Sequence, residues 1–207
     1  MRIHLVRHGR SAHVHDRSWF GWSNVGAYED AYDAAGILDA DEPTVELDRL
    51  VGDATLVAAS DLPRAIASAN RLAHGRVVEI SPLLREIRLE PPRWVPFKLP
   101  IEIWDVFSHV QWSYRIATRA EHASVRRAND AVDWLIGHAA SWSDVVAVTH
   151  GGFRRILDAQ LVSRGWARQS RERSYANWSV WSYSEGKPRP RTASGATPVD
   201  GNSGHVL

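Results

Sequence analysis

Ile3-His4-Leu5-Val6-Arg7-His8-Gly9 places an apolar run directly against a guanidinium, an imidazole and a glycine. A short, near-continuous apolar run bounded in this way fits a strand covered on both faces of a sheet. Two further runs share the pattern, Thr55-Leu56-Val57-Ala58-Ala59 and Val145-Val146-Ala147-Val148, and Arg76-Val77-Val78-Glu79-Ile80 is a fourth candidate. Asn177 to Ser184 alternates, with Trp178 and Val180 against Trp181 and Tyr183, and is predicted to add an edge strand.

Helical periodicity fills the intervals. Ala65, Ile66, Ala69, Leu72 and Ala73 mark one face of a helix from Pro63 to His74. Ser60 or Asp61 is placed to cap its start, Pro63 suits its first turn and Gly75 its stop. A single long helix is predicted from Tyr114 to about Ala140, and another from Phe153 to Ser163. Strands alternating with helices predict a three-layer α/β/α sandwich with a central, mostly parallel sheet. One domain is expected over residues 1–185. Within it, residues 87–112 carry Pro91, Pro92, Pro96 and Pro100 with Trp94, Trp104 and Trp112, and are predicted to form an irregular lid insertion. Residues 186–207, rich in Gly, Pro, Ser and Thr, read as a weakly structured tail.

Composition narrows the function. The 207 residues suffice for a core without staples, and 44% apolar with 24% charged residues is an ordinary globular balance. The absence of cysteine excludes disulfides, zinc–thiolate sites and cysteine nucleophiles. The first apolar run is too short for a signal peptide, and no stretch approaches the ~20 apolar residues of a membrane span. The expectation is a cytoplasmic protein with no membrane partner. A net charge of +1 argues against nucleic acid as the main partner. Lys98 and Lys187 are the only lysines among 25 cationic residues. Arginine suits bidentate phosphate recognition, although codon usage accounts for most of these positions. No Gly-x-Ser-x-Gly elbow and no glycine-lysine P-loop occurs, which disfavours a serine hydrolase and a P-loop nucleotidase.

Each of the three best strands ends in a polar cluster: Arg7-His8-Gly9, Ser60-Asp61-Leu62-Pro63-Arg64, and Thr149-His150-Gly151-Gly152. Ligands of open α/β sheets bind beyond the carboxyl ends of strands. Parallel, neighbouring strands would bring Arg7, His8, Arg64 and His150 to one point, with helix N-termini near Pro63 and Phe153 favouring an anion there. Gly151 and Gly152 would let backbone approach it. Two arginines can fork phosphate oxygens, and a neutral histidine can attack phosphorus. Arg7 and Arg64 should lower the pKa of His8 and so keep it neutral.

These three clusters, in this order over residues 3 to 163, resemble the histidine phosphatase superfamily, which includes phosphoglycerate mutases. The resemblance implies that His8 becomes a phosphohistidine while Arg7, Arg64, His150 and Gly151 bind the phosphoryl group. It also implies a general acid soon after the next strand, and Leu84-Arg85-Glu86 makes Glu86 the candidate, with Glu90 second. Activity should then favour mildly acidic pH; an alkaline optimum would argue against Glu86. Two departures stand out. Arg10 occupies a position where the family often has Glu or Gln, and no Tyr-Gly pair follows Glu86, which weakens a mutase reading. Phe20-Gly21-Trp22 is similar to a mutase loop over three residues only.

Arg10, Ser11 and Asn24 are possible substrate contacts. His13 and His15 form a His-x-His pair without further ligands at suitable spacing, so no metal site is expected. The function expected is hydrolysis of a phosphomonoester without metal or cofactor. The substrate would be a small phosphorylated metabolite or a phosphoprotein, open between sugar phosphates, nucleotides, phosphoglycerates and phosphohistidine. The alternatives are a phosphoglycerate mutase-type phosphotransferase and a non-catalytic module that binds phosphate or a phosphoprotein.

Overall fold

A computed structural model describes residues 1–14, 18–52, 55–88, 90–118, 123–169 and 174–186, with backbone alone at 115–118. His15 of the His-x-His pair, residues 170–173 and all of the tail after Gly186 lie outside the described residues.

Strand β1 (Arg2–Arg7) leads to β2 (Trp19–Phe20), α1 (Trp22–Ala34) and α2 (Val45–Leu50). Then come β3 (Thr55–Ala59), α3 (Pro63–Ala73), β4 (Glu79–Ile80) and a 3₁₀ turn at Pro82–Leu84. They are followed by β5 (Leu99–Pro100), α4 (Ile101–Thr118), α5 (Ala123–Trp142), β6 (Asp144–Thr149), α6 (Gly151–Ser163), β7 (Trp166–Arg168) and β8 (Val180–Glu185).

The main sheet has the order β4-β3-β6-β1-β8-β7. β4, β3, β6 and β1 run parallel, β8 joins β1 antiparallel and β7 joins β8 antiparallel. Alternate side chains of the central strands enter two separate cores. Ile3, Leu5, Val145 and Ala147 pack with Leu135 of α5 and Phe153 and Leu157 of α6. Val6, Val57, Val146 and Val148 pack with Ala65, Ala69 and Leu72 of α3. This two-sided burial explains the unbroken apolar runs and produces the expected three layers. Leu135 is fully buried in the first core. Leu135→Ala is expected to cost about 3 kcal/mol of stability, read as a lower urea midpoint at unchanged slope.

Several elements differ from expectation. The long helix of residues 114–140 is two helices, with residues 119–122 outside the described structure. The stretch at 87–112, expected to be irregular, is helical from Ile101 onward as the start of α4. Trp104 anchors this helix: it is fully buried with Val25 and Val95, and its indole N–H donates to the Phe20 carbonyl at 2.7 Å. The predicted edge strand is internal, because β7 pairs with its outer side. The strand at 76–80 pairs only through Glu79 and Ile80, and Val77 is exposed. Leu62, not Ser60 or Asp61, is the N-cap of α3; Ser60 Oγ accepts from the Leu62 N–H, and Asp61 is paired with Arg85. α1 escaped the periodicity argument because Val25 is its one fully buried residue. Neighbouring elements, not an apolar stripe, hold it. No described helix is long and apolar enough to cross a membrane.

Candidate active site

Register decides what meets at the strand ends. Arg7 pairs with Thr149, and Ala59 with Val148, so the residues that follow emerge side by side. The ladder continues one step further, with the His8 N–H donating to Thr149 O at 3.1 Å and the Ser60 N–H to Val148 O at 2.9 Å. The rings of His8 and His150 consequently lie 5.0 Å apart, centroid to centroid.

His8 is buried, and its Nδ1 lies 2.6 Å from the Gly9 carbonyl oxygen. A carbonyl only accepts, so Nδ1 holds the proton and Nε2 keeps its lone pair. Burial, followed by the charges of Arg64, Arg7 and Arg154, pushes the His8 pKa down to about 3 against the opposing pull of the Gly9 carbonyl. The ring is therefore neutral at physiological pH. The arginines act in the expected direction, but loss of solvent is the larger cause. His150 is fully buried as the N-cap of α6, with Nε2 2.9 Å from Ser60 Oγ. Burial, then His8 and Arg64, lowers its pKa well below the ordinary value.

Arg64 sits in the first turn of α3 and is almost wholly buried. Its guanidinium lies over the Tyr32 ring at 4.4 Å and donates to the Tyr32 carbonyl (3.1 Å) and to Asp33 Oδ1 (3.0 Å). Arg7 donates through Nη1 to the Tyr175 carbonyl. Arg7 Nε, Arg64 Nε and His150 Nδ1 are buried with no hydrogen-bond partner among the described residues. Buried polar nitrogens without partners are costly, and nitrogens of this kind can donate to an anion.

Glu86 approaches from the other side. Its carboxylate accepts from the N–H groups of Gly152 (3.1 Å), Phe153 (2.7 Å) and Ile87 (2.8 Å), two of them in the first turn of α6. A Cβ on Gly152 would stand 2.9 Å from Glu86 Oε1, so the close approach needs glycine there. At Gly151 an added Cβ would meet Arg7 Nε at 3.5 Å, an ordinary contact, so that glycine is not required by space.

Arg7, His8, Arg64, Glu86 and Gly151 line one cavity of about 620 Å³, with α1 and α4 as its far wall. His150, its ring 5.0 Å from that of His8, is not among the lining residues. Arg10, Ser11 and Asn24 do not line it. Arg10 is turned to Asp41 (Nε to Oδ1, 2.8 Å), Ser11 Oγ accepts from the His13 N–H, and Asn24 is exposed on α1. Glu90 does not line the cavity either, whereas Trp104 and His109 do. Among the described residues no group of three or more His, Asp or Glu could hold a metal ion.

Sequence reasoning missed the α1 wall of Tyr28, Glu29, Tyr32 and Asp33, and Tyr175 opposite. Burial raises the Glu29 pKa to about 7 against the pull of Arg88. No motif marks these positions; their place at i+3, i+4, i+7 and i+8 from Val25, on one helix face, was the available signal.

A model described as the histidine phosphatase superfamily (branch 1) matches residues 3–194. The chain belongs to the histidine phosphatase superfamily. Solved structures share its fold. A structure titled mycobacterial hydrolase 2 is 23% identical with a TM-score of 0.51, covering 91% of this chain and 84% of its own. One titled mycobacterial hydrolase 1 is 24% identical with a TM-score of 0.50, covering 78% and 81% respectively. A mycobacterial glucosyl-3-phosphoglycerate phosphatase is 20% identical with a TM-score of 0.48, covering 86% and 82%. No curated protein matches the chain. In histidine phosphatase terms, the α/β frame described above carries the three strand-end clusters on adjacent parallel strands.

Proposed function

We propose that this member of the histidine phosphatase superfamily hydrolyses phosphomonoesters through a phosphohistidine on His8. The observation that carries the reading is the His8 ring, buried and neutral, with Nδ1 tied to the Gly9 carbonyl and Nε2 free beside two arginines. His8 Nε2 attacks phosphorus, the N–P bond forms and the ester P–O bond breaks. Arg7, Arg64 and the His150 imidazole hold the equatorial oxygens, and the guanidinium groups compensate charge that a divalent ion compensates in other phosphoryl transfers. The Glu86 carboxyl gives its proton to the departing oxygen. Glu86 then takes a proton from water as that water attacks the phosphohistidine, which releases phosphate and restores the imidazole.

A 620 Å³ cavity is in the usual range for a small-molecule site and holds much more than a phosphoryl group. Its far wall mixes the rings of Tyr28, Tyr32 and Trp104 with the carboxyls of Glu29 and Asp33. This supports a small phosphorylated metabolite with a polar, partly apolar alcohol portion.

A panel of phosphomonoesters, assayed without added metal on wild type and His8→Ala, tests the reading, together with trapping of ³²P on His8. Turnover by wild type alone, with label on His8, is expected. Equal rates in the two proteins would refute it. With phosphoglycerate the product should be free phosphate; an isomerised phosphoglycerate would reassign the chain as a mutase. Glu86→Gln is expected to slow alkyl phosphates by roughly 10²-fold or more and p-nitrophenyl phosphate much less, since that leaving group needs little protonation. Equal slowing of both would remove Glu86 from the acid role.

A further inference from the structure

The peptide at Gly9 is held from three directions. Its N–H donates to Ser68 Oγ at 2.8 Å, and Ser68 Oγ in turn donates to the Arg64 carbonyl at 2.6 Å. Its carbonyl accepts from His8 Nδ1, and accepts again from Asn177 Nδ2 at 3.1 Å. Asn177 Nδ2 also lies 2.9 Å from the His8 carbonyl oxygen, so one amide spans both carbonyls. On the remaining side Gly9 is closed in: a Cβ there would come within 2.7 Å of both Asp41 Oδ2 and the Trp178 ring.

Trp178 follows Asn177 and has φ +61°, a left-handed conformation rare for a bulky residue. Such strain persists only where surroundings over-determine it. Here the Trp178 backbone N–H donates to the Arg7 carbonyl (3.0 Å) and its indole N–H to Asp41 Oδ2 (2.7 Å). Arg10 completes the clasp, donating to Asp41 from its backbone N–H (2.6 Å) and its Nε (2.8 Å). The Arg10 cation thus serves Asp41 and not the cavity.

We infer that Asn177, fixed by the Trp178–Asp41 clasp, is a positioning residue that orients the Gly9 carbonyl and thereby sets His8 in its Nδ1-protonated, Nε2-nucleophilic tautomer. The group that orients a reacting imidazole's second nitrogen determines its tautomer and aim. Without Asn177 the Gly9 carbonyl loses its second donor and the His8 carbonyl loses its tie, so the ring is free to adopt the other tautomer. The phosphate-binding arginines keep their anchors, because Arg7 is held by a backbone carbonyl and Arg64 by α1. This inference rests on the proposed reaction for its kinetic consequence, but the tautomer can be read without substrate.

The test is Asn177→Leu, which keeps bulk and removes both donors, with Asn177→Gln as the rescue. Long-range ¹H–¹⁵N NMR of the imidazoles reads the tautomer, and steady-state kinetics reads kcat and KM. Wild-type His8 is expected as the Nδ1–H form, and Asn177→Leu as a mixture. Its kcat should fall roughly tenfold or more with KM changed less than twofold, and Asn177→Gln should recover part of both signals. Asn177→Ser, smaller and unable to span both carbonyls, carries the same test if the leucine variant does not fold. An Nε2-protonated His8 in wild type would overturn the inference. So would a variant with an unaltered tautomer, whatever its kcat. A wild type that hydrolyses no phosphate ester but shows the tautomer change would refute the reaction and leave the positioning role intact.

Discussion

His8→Ala is expected to lower kcat for every phosphomonoester substrate by on the order of 10⁴-fold or more, the scale seen when a covalent nucleophile is removed. Acid-labile label on the protein should vanish with it. Phosphate binding should survive, because Arg7 and Arg64 stay in place and the alanine leaves room for an anion. Loss of turnover with retained phosphate affinity is thus the signature of a nucleophile. Loss of both together would mean that His8 serves the pocket's shape, and a catalytic rate within tenfold of wild type would end the covalent mechanism. The prediction is strong because no neighbouring group can substitute: His150 Nε2 is engaged with Ser60 Oγ, which leaves its other nitrogen to a phosphoryl oxygen, and Glu86 is engaged by helix amides.

The second large effect is on stability in acid. His8 and His150 stay neutral in the folded state, His8 with a pKa of about 3 and His150 well below its ordinary value. Unfolded, each takes up a proton below about pH 6.5. The unfolded state then binds more protons, so this stability is present above pH 6.5 and is lost as pH falls. Between pH 7 and pH 5 His8 costs about 2 kcal/mol, and His150 acts in the same direction. His4, also lowered by burial, acts in the same direction. Glu29 opposes them. Its pKa is raised to about 7, so the folded state binds the extra proton, and acidification over the same window adds about 2 kcal/mol. Between pH 7 and pH 5 His8→Ala should therefore lose about 2 kcal/mol less than wild type, and Glu29→Gln should lose more than wild type. Urea unfolding of the three proteins at both pH values checks this. Parallel pH dependence of wild type and His8→Ala would show that His8 is not held neutral.

The structure explains why Arg10 was misread. Two residues after His8, it was expected as a possible substrate contact. One turn of chain away in space, the buried carboxylate of Asp41 claims both its N–H groups, and its side chain stays mostly in solvent. Glu86 shows the opposite outcome. Its sequence placement after a strand made it the first candidate, with Glu90 second, and its contacts with the Gly152 and Phe153 amides hold it in the cavity.

The central strands and the residues that end them were legible in the sequence alone. Burial on both faces forces unbroken apolar runs, and a polar cluster at each end has nowhere to go but the sheet's carboxyl edge. Helices α3 and α6 followed from a one-sided apolar face. What only the tertiary structure decided depends on contacts between distant stretches. α1 is stable because other elements pack against it, α4 is anchored by a buried tryptophan on a distant strand's carbonyl, and Asn177 reaches Gly9 across 168 positions of chain. Periodicity records what one segment buries; it carries no information about which remote carbonyl a single amide will meet.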